Sequence, residues 1–191
     1  MRIISGSARG TQLAPLKGLT TRPTTDRIRE ALYSILISQR GDCKNDRVLD
    51  LFAGSGALAI EALSRGASAA VFVEIDRQAA ETIRANLQRC RLQEKGELII
   101  GNVLSTLPRL GVKGPFELIF LDPPYQQGLV SPTLELIVKH HLLTPEGMVI
   151  VETARKEHLE TEIGPLRLCD QRNYGSTTLS FYSMNSEKSE A

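Results

Sequence analysis

Between Arg47 and Glu152 the chain repeats one theme: a short apolar run, a turn rich in glycine or acid, then a helical period. Apolar runs at 48–51, 70–74, 98–100, 116–121 and 147–152 have strand length, while Leu58, Ala59, Ala62 and Leu63, then Ala79, Ala80, Ile83 and Leu87, recur at helical spacing. Gly66 is placed to end the first of these helices, Pro108 to break a short third one, and Ser131-Pro132 to open a fourth. Strands joined through helices lie parallel, are covered on both faces, and leave their carboxyl ends open to a ligand. The expected fold is therefore α/β, a doubly wound and mostly parallel sheet. At 191 residues the chain can bury one such core and not two. Past residue 160 the alternation stops, and 166–169 and 177–182 read as two strands joined across Asn173-Tyr174-Gly175, a C-terminal antiparallel hairpin.

Two of the strand ends carry chemistry. The apolar run at 116–121 stops at Asp122-Pro123-Pro124-Tyr125. A carboxylate there accepts hydrogen bonds from a planar exocyclic amine, Pro123 has no N–H but keeps its carbonyl, and Tyr125 offers a face on which a base can stack. Asp122, Pro123, Pro124 and Tyr125 are the candidate catalytic group, suited to a nucleobase amine; as plain structure, Asp-Pro is common turn chemistry. The first strand ends in Asp50-Leu51-Phe52-Ala53-Gly54-Ser55-Gly56, where glycines let the backbone approach a ligand. Gly54-x-Gly56-x-x-Ala59 satisfies the dinucleotide fingerprint, and Glu74, 20 residues past Gly54, suits ribose hydroxyls. Spacing alone does not separate a nicotinamide cofactor from S-adenosylmethionine. Asp50 favours the second, because a pyrophosphate seeks a helix N-terminus free of anions whereas S-adenosylmethionine brings an ammonium and a sulfonium. Asn102, after the third strand, can meet adenine through N6 and a ring nitrogen, or simply cap the next helix. The candidate cofactor set is Asp50, Phe52, Gly54, Gly56, Glu74 and Asn102.

Net charge is +1, but residues 1–30 carry six Arg or Lys against two acids and the remainder seventeen against twenty. That asymmetry, +4 against −3, suggests a polyanion docking surface, with a solvated arm as the plain alternative. Residues 1–23 lack a helical period and read as a basic N-terminal arm with a hairpin; a helix opens within 22–30 with Thr or Asp as its cap. Arg9, Arg22, Arg27 and Arg29 are the candidate phosphate contacts, with pairing to an acid inside the fold as the competing role of Arg22 or Arg29. A single domain is expected over 24–184, and 185–191 has too little apolar surface to fold. Cys43, Cys90 and Cys169 are odd in number and widely spaced, which fits reduced packing residues and neither a disulfide framework nor a metal site. No apolar run approaches the length needed to cross a bilayer and the start lacks a signal-peptide core, so cytoplasmic residence is expected; the chain is also expected to act as a monomer.

With these residues in place, the sequence resembles class I S-adenosylmethionine-dependent methyltransferases: a cofactor loop at Asp50 to Gly56, a ribose acid at Glu74, and an amino-methylating motif at Asp122 to Tyr125. More narrowly it resembles the RsmD family, which methylates guanine N2 in bacterial small-subunit ribosomal RNA. The matching pieces run nearly to Tyr182: Arg2-Ile3-Ile4-Ser5-Gly6-x-x-Arg9-Gly10, the run from Arg22 to Glu30, both motifs, and Tyr174-Gly175-x-Thr177-Thr178. Asn102 stands where many class I enzymes have an acid. The resemblance implies a Rossmann-like class I methyltransferase fold with a basic N-terminal extension, S-adenosylmethionine as cofactor, and 16S ribosomal RNA as partner, within a small-subunit particle or assembly intermediate.

Guanine presents adjacent N1–H and N2–H₂ donors, which an acceptor-only carboxylate suits better than adenine's acceptor-and-donor pair. A guanine splayed from its stack and held on Tyr125 would offer its amine to Asp122 and the Pro123 carbonyl for direct transfer. The alternatives are a DNA adenine-N6 methyltransferase, a non-catalytic RNA-binding or assembly protein, and, more distantly, a Rossmann oxidoreductase. Little chain is left for a separate DNA-reading domain, which favours a structured RNA.

Overall fold

Val48, Leu49 and Leu51, like Ala70, Val71, Phe72 and Val73, are buried along consecutive positions, as strands covered on both faces must be. The computed structural model describes residues 1–16, 26–125 and 127–185, in two compact units, Met1–Val103 and Leu104–Ala191. The chain is α/β, with parallel strands followed by antiparallel C-terminal ones.

The first unit holds α1 (Asp26–Arg40), β1 (Arg47–Leu51), α2 (Ala57–Ser64), β2 (Ala69–Glu74), α3 (Arg77–Arg89) and β3 (Gly96–Ile100), and reaches into α4 (Val103–Thr106). β2 pairs in parallel with β1 and with β3, bringing Asp50 level with Phe72 and Glu74 level with Ile100. α3 buries Ala79, Ala80, Ile83 and Leu87 as its period predicts, and Asp76 caps it by accepting from Ala79 N at 2.8 Å. Asn86 is buried on that same face.

α2 is buried at every position, because N-terminal residues cover it. Ile4 and Ser5 donate backbone N–H bonds to Glu61 at 2.8 and 2.9 Å, Ala8 N donates to Ser64 Oγ at 2.9 Å, and Ile3, Ala8 and Leu13 are buried. Gly6 has φ +84°, and a Cβ there would lie 1.8 Å from the Ser64 carbonyl oxygen, so only glycine fits this approach. The arm expected over 1–23 is thus docked along residues 1–16, with an Arg2–Gln12 bridge as its hairpin. Its expected boundary at 23–24, and positions 186–191 of the expected tail, lie outside the described residues.

The second unit holds β4 (Phe116–Leu121), α5 (Val130–Lys139), β5 (Leu143–Ala154), β6 (Glu162–Ile163), β7 (Leu166–Tyr174) and β8 (Thr177–Met184). β4 and β5 are parallel; β8 lies antiparallel to both β5 and β7, which makes the expected hairpin, longer than its apolar runs suggest. Gly175, at φ +63°, turns it. β6 adds a two-residue antiparallel edge to β7. Helix α5 begins at Val130, so Ser131 and Pro132 sit in its first turn, and Pro108 falls in a 3₁₀ segment, Leu107–Val112. No helix among the described residues is long and apolar enough to cross a membrane. Cys43 and Cys90 are buried, but Cys169 is exposed: it lies on β7, which is only partly covered, so packing does not describe it.

Candidate active site

In the first unit the glycine loop leaves β1 in a left-handed path, with φ +59° at Phe52, +54° at Gly54 and +75° at Gly56. Phe52 takes that conformation although it carries a side chain, a cost that marks a loop held in place by its surroundings. Gly56 has no room for more: a Cβ would meet Ile60, Phe72 and Ile83 at 3.2 to 3.3 Å.

Carboxylates hold the amides of this loop. Glu74, at the end of β2 and nearly buried, accepts from Gly54 N at 2.7 Å and from Asp76 N at 2.8 Å. Asp50 is 2% exposed and accepts from Ala59 N at 3.2 Å, which satisfies one of the open amides in the first turn of α2. Burial pushes the Asp50 carboxyl up to about 8, the Ala59 amide opposing and the Glu74 charge reinforcing that rise. A pyrophosphate arriving here would find the Gly54 and Ala59 amides taken and two acids behind them. A ligand bringing hydroxyls and cationic groups fits instead, since each Glu74 oxygen keeps a lone pair after its one backbone bond. Gly101 N donates to the Glu74 carbonyl at 2.9 Å, which fixes the approach to exposed Asn102 just before α4.

Asn86, which the sequence reading passes over, ties this loop to the N-terminal segment. Its amide nitrogen donates to Ser55 O at 2.9 Å and Ala14 O at 3.2 Å, while its oxygen accepts from Ala14 N at 2.7 Å. Its spacing from Ile83 on the apolar face of α3 was the available signal.

The four arginines expected to face a polyanion do not behave alike. Arg9 and Arg27 are exposed, and Arg22 lies outside the described residues. Arg29 is fully buried, and the expectation for it is corrected: it donates to the Arg2 carbonyl, to Asp26 at 3.0 Å, and stands 3.7 Å from buried Glu61. Arg65 completes this group, 2.8 Å from Glu61 and 4.5 Å above the Tyr33 ring. A charge so placed neutralises Glu61 inside the protein and has no access to phosphate. The missed signal is Glu61 itself, a lone acid in the apolar helix Ala57–Ser64.

In the second unit, β4 ends at Leu121, as its apolar run predicts, and the next residues leave the strand. Asp122 is half-buried, Pro123 buried, Pro124 exposed, and the Tyr125 ring 44% exposed. The motif therefore presents a carboxylate, a backbone carbonyl without a competing N–H, and an aromatic face within four residues.

Comparison with known proteins follows the same lines. The family model described as conserved hypothetical protein 95 matches residues 1–183. Ribosomal RNA small subunit methyltransferase D of Escherichia coli K12 is 36% identical over 161 residues, 84% of this chain and 78% of that protein. YlbH of Bacillus subtilis, provisionally described as an rRNA methyltransferase, is 36% identical over 183 residues, 95% of this chain and 98% of that one. Among solved structures, YhhF of Escherichia coli, provisionally described as a methyltransferase, superposes with a TM-score of 0.83 at 34% identity, covering 96% of this chain and 97% of that one.

Proposed function

We propose, from the fact that this chain belongs to the conserved hypothetical protein 95 family, the RsmD family of the resemblance above, that it methylates the N2 amine of a guanine in 16S ribosomal RNA with S-adenosylmethionine. The observation that carries the reading is Asp122 one residue beyond β4, followed by buried Pro123 and exposed Tyr125, on a chain that also carries the acid-held glycine loop.

Bound at the loop, S-adenosylmethionine supplies a methyl group on a positively charged sulfur, a donor ready for direct transfer. Gly54 and Gly56 would admit it close to the backbone, Glu74 would accept hydrogen bonds from its ribose hydroxyls, Asn102 would border its adenine, and Phe52 and Asp50 would line the methionine end. On the substrate side, Asp122 and the Pro123 carbonyl accept the amine hydrogens, which leaves the N2 lone pair less delocalised and aims it. Pro124 fixes the chain between them, and Tyr125 stacks on the extruded base. Positioning and electrostatics supply the catalysis. Residues 24–184 serve this reaction as a single methyltransferase domain, the protein acts as a cytoplasmic monomer, and its partner is 16S RNA in a small-subunit particle or assembly intermediate. The relatives' description as ribosomal RNA methyltransferases favours this over DNA adenine methylation.

Labelled methyl transfer tests the reading. Wild type is expected to modify small-subunit particles and not duplex DNA; Asp122→Ala is expected to lose transfer while S-adenosylhomocysteine still raises its melting temperature. Transfer to duplex DNA at a comparable rate, or near wild-type turnover by Asp122→Ala, would sink it.

A further inference from the structure

The second unit builds a basic turn that neither motif includes. β4 and β5 run parallel, with Leu121 beside Val151, so their carboxyl ends open on the same edge of the sheet. The chain leaves β4 there with Asp122, whereas β5 continues through Glu152, Thr153 and Ala154, about 10 Å further at the rise of a strand. β8 holds this extension on one side, pairing Thr177 with Ala154. Backbone bonds then fix the turn that follows: Arg155 N donates to Ser176 O and Glu157 N to Ala154 O, each at 2.9 Å. Arg155 and Lys156 stand exposed on it, and neither side chain is paired with an acid among the described residues. Glu157 is half-buried. Glu160 already lies back along the sheet: its carbonyl accepts from Tyr182 Oη at 2.7 Å, and Tyr182 is level with Val149, five positions before Ala154. The end of β5 thus shows two cations to solvent, on the edge where Asp122 leaves β4.

We propose that Arg155 and Lys156 hold phosphates of the RNA strand that flanks the base received by Asp122. The inference rests on the methyl transfer proposed above and adds a place where the backbone of its substrate is held. An extruded base hangs from a continuous backbone, so the edge that takes the base also lies along the neighbouring phosphates. Near Asp122 those phosphates meet a carboxylate, which repels them. Cations further along the same edge offset that repulsion where the strand passes. Arg155 offers a planar fork that matches two phosphate oxygens, and Lys156 offers a compact charge. The backbone of the turn is already fixed, so it needs no ordering when RNA arrives. Contacts of this kind set the register of the strand and read no sequence.

Filter binding to 16S ribosomal RNA across a salt series, with S-adenosylhomocysteine present, tests the assignment. Each phosphate contact that is lost lowers the slope of log affinity against log salt by about 0.7–0.9. Arg155→Gln combined with Lys156→Gln is expected to lower it by about 1.4–1.8 and to raise the KM for small-subunit particles. The double variant keeps the turn, because backbone groups make its bonds. Lys139→Gln removes an exposed cation at the end of α5, where the chain heads for the amino end of β5, and is expected to leave the slope unchanged. An unchanged slope in the double variant, or a slope lowered as much per charge by Lys139→Gln, overturns the role of this turn. The slope is read without turnover, so it decides that role separately. Absence of transfer to small-subunit particles by wild type overturns the methyltransferase reading instead.

Discussion

Asp50 caps α2 from inside the core, and its ionisation is coupled to stability. Its carboxyl lies at about 8 in the folded chain against 3.8 ordinarily, through burial first, with Glu74 adding to it and the Ala59 amide opposing. The folded state therefore keeps a proton that the unfolded state has released, and the protein loses stability as pH rises from about 4 to about 8, after which this contribution levels off. Asp50→Asn keeps an oxygen for the Ala59 amide and has no proton to lose. Its melting temperature is expected to exceed that of wild type by more at about pH 8 than at about pH 5. Thermal melts of the ligand-free proteins at the two values check this, and an equal margin contradicts it.

At the scale of elements, the charge asymmetry of the N-terminal residues resolves into two kinds of arginine. Arg29 on α1 is locked against Glu61 on α2, and removing one partner of a buried pair costs about 3–5 kcal/mol. Arg29→Ala is thus expected to unfold at much lower denaturant, with no specific change in the salt dependence of RNA binding by the protein that remains folded. Arg9→Gln and Arg27→Gln, at exposed positions, are expected to keep stability and each to lower the salt slope of RNA binding by about 0.7–0.9. Filter binding across a salt series checks both halves; a flattened slope for Arg29→Ala alone would reverse the assignment. Strands β1, β2 and β4 were legible in the sequence because burial on both faces leaves continuous apolar runs, so β4 and its Asp122 fell where its run ended. What the sequence hid was set by contacts across long separations. Arg29 reads as basic whether it meets phosphate or Glu61, and Asn86 reads as a polar residue on the apolar face of α3 whose partners, Ala14 and Ser55, lie far away in the sequence. Asp50 was legible as an acid at the loop, but its bond to Ala59 depends on the pitch of the turn between them.

Across the whole molecule, ligand binding should leave a footprint that follows these connections. S-adenosylhomocysteine is expected to slow amide exchange at 50–56, 74–76 and 101–102, and more weakly at 14–16, which Asn86 and Leu16 link to the glycine loop. Hydrogen exchange read by mass spectrometry checks the pattern; protection concentrated in β7 and β8 instead would place the cofactor elsewhere. The covering of α2 has a consequence for biosynthesis. Ile4 precedes Glu61 by 57 positions and Ser5 precedes it by 56, so the segment that closes over α2 is made well before the helix it closes. During translation that segment has no partner, and α2 then emerges with apolar sides and one buried-type acid still open to water. Closing so long a loop is slow compared with forming the helix. A nascent chain at this stage displays the kind of surface that chaperones retain, and a chain whose early segment is held back by a bulky fusion would remain their client after synthesis ends.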